Sequence, residues 1–454
     1  MTFINKIKEQ PVLYLLSLSC LVFYFSFAYD LVRTDYVKLI TLYAGLFILS
    51  FKLYQIARNK TRFLIGITIL FRLSFLLAVP NLSQDFYRFI WDGRMVLEGL
   101  NPYLYTPLEV LEMNGISINQ GQELVNGMGA LSAGNHSNYP PLKQFIFWLA
   151  ALVSGKSILG SVVVMRTIII AADIGVLYFG QKLLKAIKLS GHRIYWYLLN
   201  PFIIIELTGN LHFEGIMIFF LVWSLYLIHQ NKWYYAAIVL ACSVSIKLIP
   251  LIFLPLFLQR LGIIKSLGFY GIVGVLNLLL FTPFYSSELL KNYSETVGLW
   301  FQKFEFNASL YYIAREIGYT FRGYNEIAII GSYIPYIVLS FVLLMTLVRS
   351  NKTMVQLFTA MLLCLSFYFF TATTVHPWYI ATLVVLGIFT RYRFALIWSL
   401  VIVLSYLAYL NINKADKSEN LWVIAIEYLV VYGVLLWELF SKKHLSNKHI
   451  NYFD

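Results

Sequence analysis

The stretch SQDFYRFIWDGRMVLEGLNPY (residues 83–103) brings Asp85, Arg88, Asp92, Arg94 and Glu98 together directly after an apolar run that ends at Pro80. At helical spacing, residues 85, 88 and 92 point in nearly one direction, so two carboxylates and a guanidinium share a face while Arg94 points away. Gly99, Asn101 and Pro102 then stop the helix. Such a face can be a self-paired polar stripe. Other short segments carry complementary groups: Tyr139 in YPPL, His212 and Glu214 in GNLHFEG, Lys247 in SIKLIP and His376 in TVHPWY. Each alone reads as a polar residue at the end of a membrane span. Together, a carboxylate base and several cations in a slot between helices suit transfer of a group from a phosphate-bearing lipid to a hydroxyl. The lipid tail needs the bilayer, the leaving phosphate needs positive charge, and the acceptor hydroxyl needs a base.

The elements that must position these groups are membrane helices. The 454 residues are 59% hydrophobic and only 13% charged, with a mean hydropathy of +0.72, and spanning-length apolar runs recur along the chain. The expected fold is all-α and polytopic, a single integral domain over residues 1–454 with about 12 to 14 transmembrane helices. The net charge of +13 comes from short basic clusters between apolar runs and not from one stripe, which argues for membrane topology and against nucleic acid. Cys20, Cys242 and Cys364 lie inside apolar runs without metal-ligand spacing. The first apolar run has no small-residue cleavage site after it, so an uncleaved helix is expected.

Alternation from a cytoplasmic N-terminus puts the basic clusters on the inner side, from Lys6 and Lys8 through Arg58, Lys60 and Arg62 to Arg391, Arg393, Lys442, Lys443 and Lys448. It holds only if SIKLIPLIFLP is a hairpin turning near Lys247 and Pro250. Two large loops, 81–157 and 285–327, then lie outside with GNLHFEG and TTVHPWY, so the suggestive chemistry gathers on the extracytoplasmic face of an inner membrane. Within the first loop, YPPLKQFIFWLAALVSG (139–155) reads as an interfacial helix. The aromatic-rich residues 293–312 read as an interfacial belt, with a cover over the acceptor as the alternative. Arg72, Arg166 and Asp173 fall in or near spans, where ionisable groups need partners. Arg166 and Asp173, seven residues apart, are expected to pair.

The ordered set SQD…R…WDGR…EGLNPY, YPPL, LNPFIIIELTGNLHFEG and KLIPLIFLP resembles the GT-C superfamily of integral membrane glycosyltransferases, especially bacterial polyprenyl-phosphate-mannose mannosyltransferases. The resemblance runs from about residue 63 to 260. It implies an inverting transferase whose catalytic base is the carboxylate entering the first large outer loop, here Asp85. Mannose is implied by the resemblance alone. Many relatives carry a DxD at this point; Ser83, Gln84 and Asp85 lack its first aspartate, so no cofactor is expected and a divalent metal is doubtful. In the implied reaction Asp85 takes the acceptor proton as its oxygen displaces the phosphate, with Arg88, Lys247 or His376 meeting the charge on the donor phosphate. Asp92, Arg94, Tyr139, His212 and Glu214 are candidates to position sugar or acceptor, with a structural role preferred for Arg94. The partners are then a polyprenyl-phosphate sugar, a lipid or glycan acceptor and membrane lipids. A flippase or transporter of lipid-linked saccharides, or a polymerase, is the competing reading; a transporter would gather its charges near the bilayer midplane.

Overall fold

The computed structural model describes residues 10–413 and 419–441; Lys6, Lys8, Lys442, Lys443 and Lys448 lie outside them. The protein is 77% helix, with no strand among the described residues. Helices satisfy their own backbone polar groups, as a segment crossing hydrocarbon must. Seven helices are long and apolar enough to span: Pro11–Tyr29, Tyr36–Ala57, Ile158–Ala186, Ile263–Phe284, Ile327–Leu347, Met354–Thr371 and Leu421–Ser441. The bent pair Pro201–Gly209 and Glu214–His229 makes an eighth if it is one span, and five further apolar helices are shorter than a full crossing. The expected twelve to fourteen spans therefore require short and broken helices to cross as well. Met354–Thr371 is two-thirds buried, whereas Ile263–Phe284 is only 17% buried. The former is central and the latter presents residues such as Ile264 and Leu278 to lipid.

The chain breaks at Lys247, whose backbone is extended between Trp233–Ile246 and the 3-10 helix Ile249–Phe257, at the point where the hairpin turn was expected. A second break, of 113°, falls between Gly209 and Glu214. Backbone carbonyls exposed at such a break need donors, and Arg166 supplies them. Its guanidinium donates to Thr208 O (2.8 Å), Gly209 O (2.8 Å), Leu76 O (3.0 Å) and Ala78 O (2.6 Å). The expected Arg166–Asp173 pair is thus not formed. Asp173 meets Arg72 at 2.6 Å, both fully buried, because Arg166 lies two helical turns nearer the break while Arg72 reaches Asp173 from a neighbouring helix. Arg72 also donates to Thr68 O and Leu198 O.

The 81–157 loop folds into Asp85–Leu97, Pro107–Glu112, Gly121–Ala133 and Pro141–Ser154. The first and last of these pack face to face. Phe89 and Phe147 stack at 4.8 Å, and Gly93 lets the backbones approach so closely that a Cβ there would sit 2.2 Å from Phe147 O. Gly93→Ala collides with backbone and not with a flexible tip, so it is expected to destabilise the protein by about 1–3 kcal/mol, read as a lowered thermal unfolding midpoint in detergent. An unchanged midpoint would mean that the two helices are free to separate.

In the second loop the chain at Phe306 runs beside Thr374, with Phe306 N donating to Thr373 O (3.1 Å) and Val375 N to Phe306 O (2.8 Å). This tie brings the preceding residues Val297, Trp300 and Phe304 to the wall of the central cavity.

Candidate active site

A cavity of about 690 Å³ opens where the first loop meets the two helix breaks and the segment before Pro377. Asp85, Arg88, Tyr139, His212, Glu214, Lys247 and His376 all line it. Residues up to 291 positions apart in the chain thus converge, as one site requires.

Asp85 opens its helix, half-buried. Its backbone N–H donates to Ser83 Oγ (3.3 Å); its carboxylate accepts no hydrogen bond and forms no ion pair among the described residues. Asp92 and Asp173 are by contrast held by partners. Burial pushes the Asp85 carboxyl above its usual range, more than Lys143, Lys247 and Arg33 pull it down, and Glu214 adds to the rise. An unpaired carboxylate of raised basicity, facing a cavity, is suited to accept a proton.

Glu214 begins its helix just after the second break and its Oε1 accepts from Lys247, whose ammonium also lies 4.0 Å from the centre of the Tyr379 ring. His376 stacks on Trp378 at 4.6 Å, and His212 stacks on the same ring at 3.7 Å. Burial, and then Lys247, push His376 down to about 3. It is therefore uncharged at neutral pH, so it can offer a phosphate an N–H but no charge, and its Nδ1 is buried without a partner. His212 lies 3.8 Å from Glu206, which accepts from Tyr406 Oη at 2.8 Å.

Arg88 is largely engaged, although its Nη2 is buried without a partner. Its Nε meets Asp92 at 2.6 Å, and Nη1 donates to Asn135 O (2.9 Å) and to Ser132 O, which holds the 132–135 turn at the cavity edge. Asp92 and Arg94 do not line the cavity. Asp92 is wholly buried between Arg88 and Gln144 Nε2 (3.0 Å). Arg94 donates to Asn119 O, Gln120 Oε1 (3.1 Å) and Lys156 O (3.1 Å). Both hold the loop together.

Two cavity cations were not singled out from the sequence. Arg33 lies over the Tyr409 ring at 3.8 Å and donates to Leu82 O at 3.4 Å. Lys143 stands on the cavity side of Pro141–Ser154. Its signal was a lone charge inside the otherwise apolar run that follows YPPL. No group of three His, Cys, Asp or Glu converges among the described residues, and the cavity's carboxylates share it with two lysines.

An all-helical membrane protein with a polar cavity under a loop of amphipathic helices has the architecture of a GT-C-like glycosyltransferase. The chain belongs to the family described as alpha-(1->6)-mannopyranosyltransferase, N-terminal domain, which matches residues 24–261. That range holds every lining residue discussed except His376, Trp378, Tyr379, Tyr409 and those of the second loop. Among curated proteins, the chain is 27% identical over 150 residues to alpha-(1->6)-mannopyranosyltransferase B of Corynebacterium glutamicum, covering 32% of this chain and 23% of that protein. It is 20% identical over 189 residues to alpha-(1->6)-mannopyranosyltransferase A of Mycobacterium tuberculosis (41% and 35%), and 24% identical over 196 residues to the A enzyme of C. glutamicum (42% and 37%). The chain spans about a quarter to just over a third of the length of these relatives.

Proposed function

We propose that this protein transfers a mannosyl unit from a polyprenyl-phosphate sugar to a hydroxyl of a lipid or glycan acceptor, by single displacement with Asp85 as base. The observation that carries the reading is the unpaired Asp85 carboxylate sharing a cavity with Lys143 and Lys247. Asp85 takes the acceptor proton as the oxygen attacks the anomeric carbon, and the phosphate leaves opposite it with the bond pair. Phosphate is a good leaving group, so the second carboxylic acid that hydrolases use is not needed. Glu214, engaged by Lys247, is left to orient hydroxyls. The relatives' names specify an alpha-(1->6) mannopyranosyl linkage; one displacement gives an α product only from a β-linked donor.

The basic clusters of the sequence support a site on the outer face of the inner membrane. A broken span is also a transporter feature, but here Arg166 grips both the break and the 76–78 turn, which favours a fixed site over a moving gate.

The test is purified protein supplied with mannose on a polyprenyl phosphate or on a nucleotide, with lipid and glycan acceptors. Mannose is expected to move from the lipid donor only, and equally well with EDTA present. Transfer from the nucleotide sugar, or passage of the lipid sugar across a vesicle membrane without cleavage, would overturn the reading. Loss of transfer with EDTA, restored by a divalent ion, would overturn its metal independence.

A further inference from the structure

Lys143 is the third residue of Pro141–Ser154, and its ammonium is surrounded by aromatic rings. Its Nζ lies 4.0 Å from the ring centre of Tyr139, 4.6 Å from Phe89, 5.2 Å from Phe213 and 5.7 Å from Phe147. The residue is 7% exposed, and what remains exposed faces the cavity. No carboxylate or carbonyl accepts from it among the described residues. Other cations of the interior are differently placed: Arg72, Arg88, Arg94 and Arg166 each have two or more acceptors, and the half-buried Lys247 has Glu214. Four rings attract an ammonium through their faces but give its N–H groups no oxygen. A buried, aimed ammonium without an acceptor is a preorganised site for an anion.

Its electrostatic neighbours are few. Asp85 and Asp92 come from the helix packed against it, Glu214 and His212 from the second break, Lys247 from the first, and Tyr139 from its own loop. Asp92 is occupied by Arg88 and Gln144, and Glu214 by Lys247. Burial, helped by Lys247 and against the pull of Glu214, Asp85 and Asp92, lowers the Lys143 ammonium to about 7.

We propose that Lys143 is a catalytic residue, the ammonium that binds the donor phosphate and strengthens its grip as charge builds on the departing phosphate oxygen. The inference rests on the polyprenyl-phosphate donor proposed above. As transfer proceeds, the bond from the anomeric carbon to the phosphate oxygen breaks and its electron pair stays on that oxygen. The acceptor proton passes to Asp85. One carboxylate charge and one diester charge thus become a neutral acid and a doubly charged monoester, with total charge conserved. An ammonium at that oxygen gains more in the transition state than in the ground state, which raises turnover and not affinity alone. Because burial lowers Lys143 to about 7, donor binding at neutral pH takes up protons from solution.

The experiment is equilibrium binding, in lipid nanodiscs, of the methyl diester of undecaprenyl phosphate. Unlike a monoester, which titrates near pH 6, this diester keeps one charge throughout. Uncharged undecaprenol is the control. Wild-type affinity for the diester is expected to fall as pH rises above about 7, while undecaprenol binding stays flat. Lys143→Arg is expected to bind the diester without that pH dependence, and Lys143→Gln to lose about 10- to 100-fold in diester affinity alone. A Lys143→Gln protein that binds the diester like wild type, or a Lys143→Arg protein that keeps the wild-type pH dependence, would overturn the inference and leave the donor assignment standing. Should Lys143→Gln fail to fold, the comparison of wild type with Lys143→Arg decides. Wild-type protein that binds the diester no better than undecaprenol would overturn the donor assignment and this inference together.

Discussion

Asp85→Asn is expected to lower turnover by about 100- to 10,000-fold, the usual weight of a positioned general base, while donor binding stays close to wild type. The amide has nearly the shape of the carboxylate but cannot accept the proton. No other carboxylate replaces it, since Glu214 is held by Lys247 and Asp92 is buried away from the cavity. The substitution removes negative charge beside Lys143, so the anionic donor should bind at least as well. A parallel fall in binding and turnover would instead assign Asp85 to donor recognition. The pH profile of kcat/KM carries the same information. Asp85 must be deprotonated, so activity rises as pH passes its carboxyl, which burial holds above the usual range. Lys143 must be protonated, so activity falls as pH rises past about 7. Asp85→Asn should lose the rising limb from its residual activity, and Lys143→Arg the falling one.

Arg166→Met is expected to cost the most stability. Four carbonyl oxygens would lose their donor at once, and at about 1 kcal/mol for each orphaned buried acceptor, the low end of the range, the loss is about 4 kcal/mol. Two of those carbonyls close the break before His212 and Glu214, and two lie in the turn that leads to Asp85. The one side chain therefore fixes both walls of the cavity. Arg166→Lys should rescue little, because a point ammonium cannot replace a planar fork reaching four oxygens. Thermal unfolding of both variants in detergent is the check. Midpoints equal to wild type would show that water or lipid already serves those carbonyls.

Much of the architecture was legible in the order of apolar runs. The spans, the helix at 85–97, the short helix after YPPL and the break at Lys247 all follow from periodicity and interruptions that a linear reading preserves. The pairing of Arg88 with Asp92 was likewise available, since residues four apart meet on a helix. What could not be read was which faces meet. Arg166 and Asp173 share a helix face, yet each partner lies on another segment. Nothing in the linear sequence shows that four rings from three parts of the chain close around Lys143. His376 offered a cation by type, and burial beside Lys247 pushes it down to about 3, so it stays neutral well below neutral pH. Asp92 and Arg94 have the composition of a site but face the interior of the loop, where Asp92 ties Arg88 to Gln144 and Arg94 braces backbone.

The central claim is a single displacement at the anomeric carbon driven by Asp85, and the configuration of the product tests it most directly. Wild-type protein given a β-linked mannosyl phosphoryl polyprenol and a hydroxyl acceptor should yield an α-linked product, assigned by NMR of the anomeric proton and carbon. A β-linked product would require two displacements through a covalent enzyme intermediate and would contradict the mechanism.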